Sequence, residues 1–386
     1  MSGERKLRVL HCPTATGGNP GALARAERRL GLDSVAIAFE ESPFRFPVDE
    51  VLVRGRASLP RIELARAPLL WRALRDFDVI HFNFGQTIAP VLPMRPPAGR
   101  ARHLFPLYRL YTRCLEMRDL PLLSLAGKGI VVTFYGSDAR QSDYCREHFE
   151  LSPAAEAGSA EYSPGLDARR RRRIAKFDRY ADKIYAFNPD LMRVLPGRAE
   201  FLPYASVDPD QWKAIPPREA PARLVVLHAP TDRRIKGTRH IVEAVGRLRE
   251  EGLDFEFKLV EGVANEEAKR LYEGADILVD QLLLGWYGGL ALEFMALGKP
   301  VISYIRETDL AFVPDEMRKE IPTISATPAT VYGVLKELLT VRRGELARIG
   351  RLGRAYAEKW HDPIRIASRL KAVYEEIISS KKQARR

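Results

Sequence analysis

Two hydrophobic rhythms alternate along the chain. Short apolar runs rich in β-branched residues, LRVLHC (Leu7–Cys12), SVAIAF (Ser34–Phe39), DVIHFNF (Asp78–Phe84), GIVVTFYG (Gly129–Gly136) and KIYAFN (Lys183–Asn188), read as buried strands. Segments with helical periodicity separate several of them. The first, PGALARAERRLG (Pro20–Gly31), has Pro at its start and Gly at its end, as a helix requires. Strand–helix alternation predicts a mostly parallel sheet covered on both faces, and so an α/β fold.

The rhythm breaks at VDPDQWKAIPPREAPAR (Val207–Arg223), a polar, proline-rich stretch that reads as a linker, and then restarts. RLVVLHAP (Arg223–Pro230), FEFKLVEG (Phe255–Gly262), DILVDQ (Asp276–Gln281) and PVISYI (Pro300–Ile305) are strands. GTRHIVEAVGRLREEG (Gly237–Gly252), with Ile241, Ala244, Val245 and Leu248 on one face, NEEAKRLYEGA (Asn265–Ala275) and GLALEFMALG within Gly285–Val301 are helices between them. From about Val331 onward the pattern is helical, broken at WHDP (Trp360–Pro363), with SSKKQARR expected to fray. The division is residues 1–206 as an N-terminal α/β domain, 207–222 as linker, 223–362 as a second α/β domain, and 363–386 as a C-terminal helix packing back toward the N-terminal domain.

Composition narrows the class. The chain has 386 residues, 46% hydrophobic and 29% charged, enough apolar material for two cores. Three cysteines without CxxC spacing argue against a disulfide scaffold or a zinc knuckle and fit a reducing, cytoplasmic setting. The opening MSGERKLRVLHCP has too short an apolar run for a signal peptide, and no run is long enough to span a membrane. A net charge of +12 favours anionic partners. RNP, zinc and helix-turn-helix signatures are missing, so no nucleic acid is expected. The arginine run Arg169–Arg173 reads as a solvated helix face or an anion contact, and FPLYRLYTRCLEMR (Phe105–Arg118) as a membrane-surface helix or an internal one.

In doubly wound sheets ligands bind outside the carboxyl ends of the strands. Those ends read CPTATGGNPG, NFGQT, YGSDAR, HAPTDRRIKG and DQLLLGWYGG. The glycines Gly17 and Gly18 allow close approach of a ligand to the backbone, and Arg233 and Lys236 stand where a helix opens, a plausible diphosphate grip. YGSDAR offers Tyr135 and Asp138 to a polyhydroxylated ligand, or forms an Asx-type turn. DPD (Asp208–Asp210) lies in the linker and is not read as a metal site, so no metal is expected. Within the apolar run that follows the last glycine-rich turn stands one carboxylate, Glu293.

Taken together these segments resemble GT-B-fold retaining glycosyltransferases of the family-four type (glycosyl transferases group 1), over nearly the whole chain. The resemblance rests on the glycine loop after the first strand, the D-V-I-H strand, T-F-Y-G-S-D at Thr133–Asp138, the Y-A-S-V-D-P-D-Q-W linker, R-x-x-K-G at Arg233–Gly237 and G-W-Y-G-G-L-A-L-E-F-M-A-L-G-K-P-V-I at Gly285–Ile302. It implies two tandem Rossmann-like domains with parallel sheets facing across a cleft, plus C-terminal helices. It also implies transfer of a sugar, with retention and without a metal or other cofactor, from a UDP- or GDP-linked donor to a hydroxyl of a saccharide or lipid-linked acceptor. Peripheral contact with an anionic membrane at its inner face belongs to the same implication. The alternatives are a nucleotide-sugar-binding protein without transfer and a nucleotide-sugar epimerase.

By this resemblance the nucleotide-sugar is bound by Gly17, Gly18, Arg233, Lys236, Asp280, Gly288, Gly289 and Glu293, and Tyr135, Asp138 and Lys236 are catalytic. Glu293 corresponds to the second acid of the family's E-x7-E motif, which accepts the ribose hydroxyls. The chain departs from the pattern twice: Gly285 stands at the family's first acid and Tyr135 at its frequent histidine. His11, His81 and His228, at or near strand ends, are the candidates to compensate.

Overall fold

The computed structural model describes residues 6–385 except 56–57, 93–100, 157–163, 209–210, 217, 219–222 and 264. In chain order the first elements are β1 (Arg8–Cys12), α1 (Asn19–Arg29), β2 (Asp33–Glu40), β3 (Glu50–Val53), α2 (Leu59–Asp76), β4 (Val79–Asn83), α3 (Ala101–Leu115), α4 (Asp119–Leu125) and β5 (Gly129–Phe134). Next come α5 (Ser142–His148), α6 (Pro164–Tyr180), β6 (Lys183–Ala186) and β7 (Glu200–Phe201). The second half runs β8 (Leu224–His228), α7 (Arg233–Lys236), α8 (Thr238–Glu250), β9 (Phe255–Leu259), α9 (Asn265–Glu273), β10 (Ile277–Val279), α10 (Gly289–Ala296) and β11 (Val301–Ser303). It closes with α11 (Asp315–Lys319), β12 (Ile324–Ser325), α12 (Val331–Leu339), α13 (Leu346–Trp360) and α14 (Pro363–Gln383).

Among the described residues the chain forms two compact units. The first comprises residues up to Arg140, Ala168–Leu202 and Ile364–Arg386; the second comprises Gln141–Asp167 and Pro203–Pro363. The first holds a parallel sheet in the order β3-β2-β1-β4-β5-β6-β7, the second a parallel sheet in the order β12-β11-β10-β8-β9. Both orders reverse direction beside their first strand, between β1 and β4 in one sheet and between β8 and β10 in the other. That is where a doubly wound sheet leaves a crevice for a ligand.

The strands are apolar because both faces are covered: β5 and β8 are buried along their whole length. Leu10, Ile80, Val132 and Phe177 belong to the core of the first unit, and Val226, Ile241, Leu248 and Leu335 to that of the second. Three short strands, β3, β7 and β12, escape the sequence pattern because two to four residues are too few to show a period. Helix α14 seats the first unit's polar core. Its buried Tyr374 hydroxyl lies 2.7 Å from His81 Nδ1 and donates to Glu27 Oε1 at 3.1 Å, while His11 Nε2 meets Glu27 Oε2 at 2.9 Å.

The expected fraying of SSKKQARR is corrected. The helix continues to Gln383, pinned by Lys381 on Asp182 at 2.8 Å and by Arg385 donating to the Leu125 carbonyl at 2.9 Å. The arginine run on α6 is largely spent inside the protein. Arg170 is buried and donates to the Ser137 carbonyl, and Arg173 pairs with Glu116 at 2.7 Å. Among the described residues no helix is long and apolar enough to cross a membrane.

Candidate functional site

In the second unit the carboxyl ends of β8 and β10 converge on one cluster. After β8 the chain turns into α7, whose start is capped by Asp232: its carboxylate accepts from the Arg234 and Ile235 amides at 2.8 and 3.2 Å. Gly237, at φ +75°, ends this turn and lets α8 follow at once. The cap sets Lys236 toward β10, where its Nζ lies 3.0 Å from Asp280 Oδ1 and also donates to Gln281 Oε1. The other oxygen of Asp280 accepts from the Gly288 amide at 2.8 Å. Lys236, Asp280 and Gly288 are therefore brought together, and Asp280 is fully buried in its pair with Lys236. A Cβ at position 288 would stand 3.2 Å from Lys236 Nζ and 3.3 Å from Asp280 Oδ2, a tight approach that glycine avoids.

The Gly288 amide is occupied by Asp280, so the N–H groups left for an anion are those of the first turn of α10, from Gly289 on. A Cβ at Gly289 would meet nothing within 4 Å. Arg233 is not drawn into the cluster: it is exposed and pairs with Glu261, Nε to Oε1 at 2.8 Å. Gln281 was not singled out from the sequence, although it directly follows Asp280. It bridges Lys236 to the glycine-rich turn by donating to the Trp286 carbonyl.

Glu293 sits one turn into α10, among buried Ala291, Leu292, Phe294 and Met295. It is half-buried, and among the described residues no group donates a hydrogen bond to its carboxylate. Burial pushes this carboxyl from its ordinary 4.5 up to about 8, while Lys269 pulls it down and Asp280 pushes it up by smaller amounts. A carboxylate held in an apolar helix without a hydrogen-bonding partner is costly.

Gly285 has φ +73°, and a Cβ there would lie 2.8 Å from the Arg306 guanidinium. Arg306 is buried, pairs with Asp309 at 2.8 Å, donates to the Leu151 carbonyl at 2.7 Å and stacks 3.6 Å above the Phe149 ring. It therefore takes the space beside Gly285 and ties the segment after β5 to this unit. Cys145, Phe149 and Ala154 of that segment also pack against Ile235, the neighbour of Lys236. Restoring an acid by Gly285→Glu is expected to cost about 1–3 kcal/mol through left-handed strain and the clash with Arg306, read as a lower urea midpoint. Unchanged stability would show that this turn can rearrange.

In the first unit the turn after β1 carries Gly17 at φ +61° and Gly18 at φ +72°, backbone that side chains rarely adopt, and α1 begins directly after them without a side-chain cap. A Cβ on Gly17 would lie 3.7 Å from the Tyr135 ring, so Gly17 and Tyr135 share one wall. Tyr135 itself is buried between Phe84 and Phe187, ring centroids 6.0 and 4.6 Å away. Asp138 turns back into the loop. Its carboxylate accepts from the Tyr135 amide at 3.0 Å and the Gly136 amide at 2.6 Å, and burial pushes it up to about 6. Asn83 at the end of β4 escaped the sequence reading: its Oδ1 accepts from the Thr14 hydroxyl, and its Nδ2 is buried without a hydrogen-bond partner among the described residues.

None of the three histidines stands as an open base. His11 is buried on Glu27, and His81 is held between Tyr374 and Thr133 Oγ1 and pushed well below 6.5 by burial. His228 is held by the Val279 carbonyl and Thr238 Oγ1 and pushed down to about 4, again by burial. Of DPD, Pro209 and Asp210 lie outside the described residues, as does part of the 207–222 linker. A cavity of about 470 Å³ lies at the amino ends of β8 and β11, lined by Leu224, Asp276 and Lys299 and away from Lys236. Lys299 is structural there, donating to the carbonyls of Tyr272 and Glu273 at 3.1 and 2.5 Å and to that of Ala275.

Two parallel Rossmann-like units with a helical C-terminus define the GT-B fold, and comparison with known proteins agrees. No profile of a known protein family matches the chain. In sequence it is 26% identical over 406 aligned positions to an MMP alpha-(1->4)-mannosyltransferase of Mycolicibacterium hassiacum, covering 93% of this chain and 88% of that protein. In structure it is similar to sucrose-phosphate synthase from Thermosynechococcus elongatus, with TM-score 0.60, 15% identity and 97% and 100% of the two chains covered. It is also similar to the Anabaena protein HepE in complex with UDP-glucose, with TM-score 0.57, 12% identity and 97% and 100% covered. The structural likeness carries the fold, and the mannosyltransferase relative supports a glycosyltransferase.

Proposed function

We propose that the protein is a retaining, metal-independent glycosyltransferase that binds a UDP- or GDP-linked sugar on its second unit and passes the sugar to a hydroxyl of a saccharide or lipid-linked acceptor. The observation that carries this is Glu293: a half-buried carboxylate in an apolar helix that among the described residues accepts no hydrogen bond, beside the Lys236–Asp280–Gly288 cluster at the β8/β10 switch point. A ribose would supply the two donors that the carboxylate lacks. Lys236 and the first-turn amides of α10 would face the diphosphate, with Arg233 nearby in sequence as a second cation once it leaves Glu261.

In this reading the bond from the anomeric carbon to the phosphate oxygen breaks and a bond to the acceptor oxygen forms on the same face. The acceptor's proton passes to the departing phosphate oxygen, so no protein base is required. The protein stabilises the charge gathering on the leaving diphosphate, which is where preorganised cations and amides lower a barrier most. On the first unit Tyr135, Gly17 and Gly18 would serve the acceptor, and Asp138 acts by holding the Tyr135–Gly136 backbone. The enzyme would work in the cytoplasm at an anionic membrane surface.

The test is a screen of nucleotide-sugars with saccharide and lipid-linked acceptors, following nucleoside diphosphate release and the anomeric configuration of the product, with and without EDTA. Release that survives EDTA with a retained anomer is expected; an inverted product or a metal requirement would overturn that part of the reading. A second reading, binding without transfer, is favoured by Gly285 and Arg306 standing at the family's first acid. It would show as tight donor binding with no release for any acceptor.

A further inference from the structure

We propose that helix α3 is a docking surface for an anionic lipid bilayer. Amphipathic helices of globular proteins turn their apolar stripe toward the core. Helix α3 does the reverse: Leu107, Leu110, Tyr111 and Leu115, spaced to share one face, are 67%, 61%, 40% and 39% exposed, while Thr112 on the other side is 2% exposed. Polar contacts help hold the helix to its unit, the hydroxyls of Tyr108 and Tyr111 donating to Glu63 at 2.8 and 2.9 Å.

The charge beside the stripe chooses the occupant. From Ala101 to Leu115 the sequence contains no acid. Arg113 borders the stripe beside Leu110 and Arg109 lies one turn before it, farther round the helix; both are exposed, and among the described residues neither forms an ion pair. The neighbouring acids are engaged elsewhere, Glu63 by Arg66 and the two tyrosines and Glu116 by Arg173. An apolar stripe next to uncompensated arginines matches the boundary between acyl chains and lipid phosphates. A second copy of this chain would bring the same basic face and a net charge of +12, which repels it.

This deepens the peripheral placement proposed above, but its readout is lipid binding, so it stands or falls separately from transfer. The full chain would be sedimented with vesicles of phosphatidylcholine alone and with about one third phosphatidylglycerol, each at low and high salt. The wild type is expected to partition onto the anionic vesicles and not the neutral ones. Leu107→Glu/Leu110→Glu should weaken partitioning more than about tenfold. Arg109→Gln/Arg113→Gln should weaken it on the order of tenfold or more and flatten its salt dependence. All these positions are exposed, so melting temperature and donor affinity should not change. Wild type that ignores anionic vesicles, or a double-glutamate variant that binds them equally well, would overturn the proposal. So would a wild-type dimer that the double-glutamate variant dissolves, since a second copy would then cover the stripe.

Discussion

Lys236→Ala is expected to lower the rate of transfer at saturating donor by on the order of 10²–10³-fold. Lys236 is nearly buried, with side-chain exposure of 12%, and it is the cation that the Asp232 cap and Gln281 hold in place beside α10. In the proposed reaction it meets charge that grows as the diphosphate leaves, so its loss falls more on kcat than on KM. The substitution also strips Asp280, which is fully buried, of its counter-charge, and some loss of stability is expected with it. Lys236→Met/Asp280→Asn restores a neutral pair and should recover stability without recovering rate. A Lys236→Ala enzyme within about threefold of wild type in kcat would remove Lys236 from the chemistry.

The second large effect is on pH dependence. With the Glu293 carboxyl raised to about 8, the empty protein holds its proton at pH 7, whereas ribose hydroxyls are best accepted by the ionised form. Donor binding should therefore release about one proton at pH 7, and affinity should rise up to tenfold per pH unit until it levels off above about pH 8. Glu293→Gln should bind more weakly and without this slope. Stability runs the opposite way. Between 4.5 and about 8 the folded state keeps a proton that the unfolded state has lost, so raising the pH through that window destabilises wild type relative to Glu293→Gln. Thermal melts across pH 5–9 measure this directly, and parallel curves for the two proteins would mean that the carboxyl is ionised throughout.

Most strands of the two sheets were legible because they are apolar runs, β4, β5 and β8 buried along their whole length, and the candidate site loops because a doubly wound sheet places its ligand at strand ends. Lys236, Asp280 and Gly288 could be proposed from that rule together with the family resemblance, but their mutual contacts could not. Asp280 comes within reach of Lys236 only because β8 and β10 are neighbours, and that order is not written in local periodicity. Arg306 stayed invisible for the same reason: it is distant from Gly285 in sequence, and only the turn after β11 returns it to that glycine. Asp138 stood open between a sugar contact and an Asx-type turn because both have the same sequence, and the hydrogen bonds from the Tyr135 and Gly136 amides show that the turn is formed. The exposed stripe of α3 was ambiguous because periodicity shows that a helix has an apolar face without showing where that face points.

The most direct test of the central claim, that α10 and the turn before it hold a nucleotide-sugar, is calorimetric titration with UDP-, GDP-, ADP- and dTDP-sugars of wild type and Glu293→Ala. The account predicts that one nucleotide class binds and that the variant loses about 1.5–3 kcal/mol, or roughly 10- to 100-fold in affinity, as expected when a carboxylate loses its hydrogen bonds to the ligand. Equal affinity in the two proteins, or binding of none of the four classes, would contradict it.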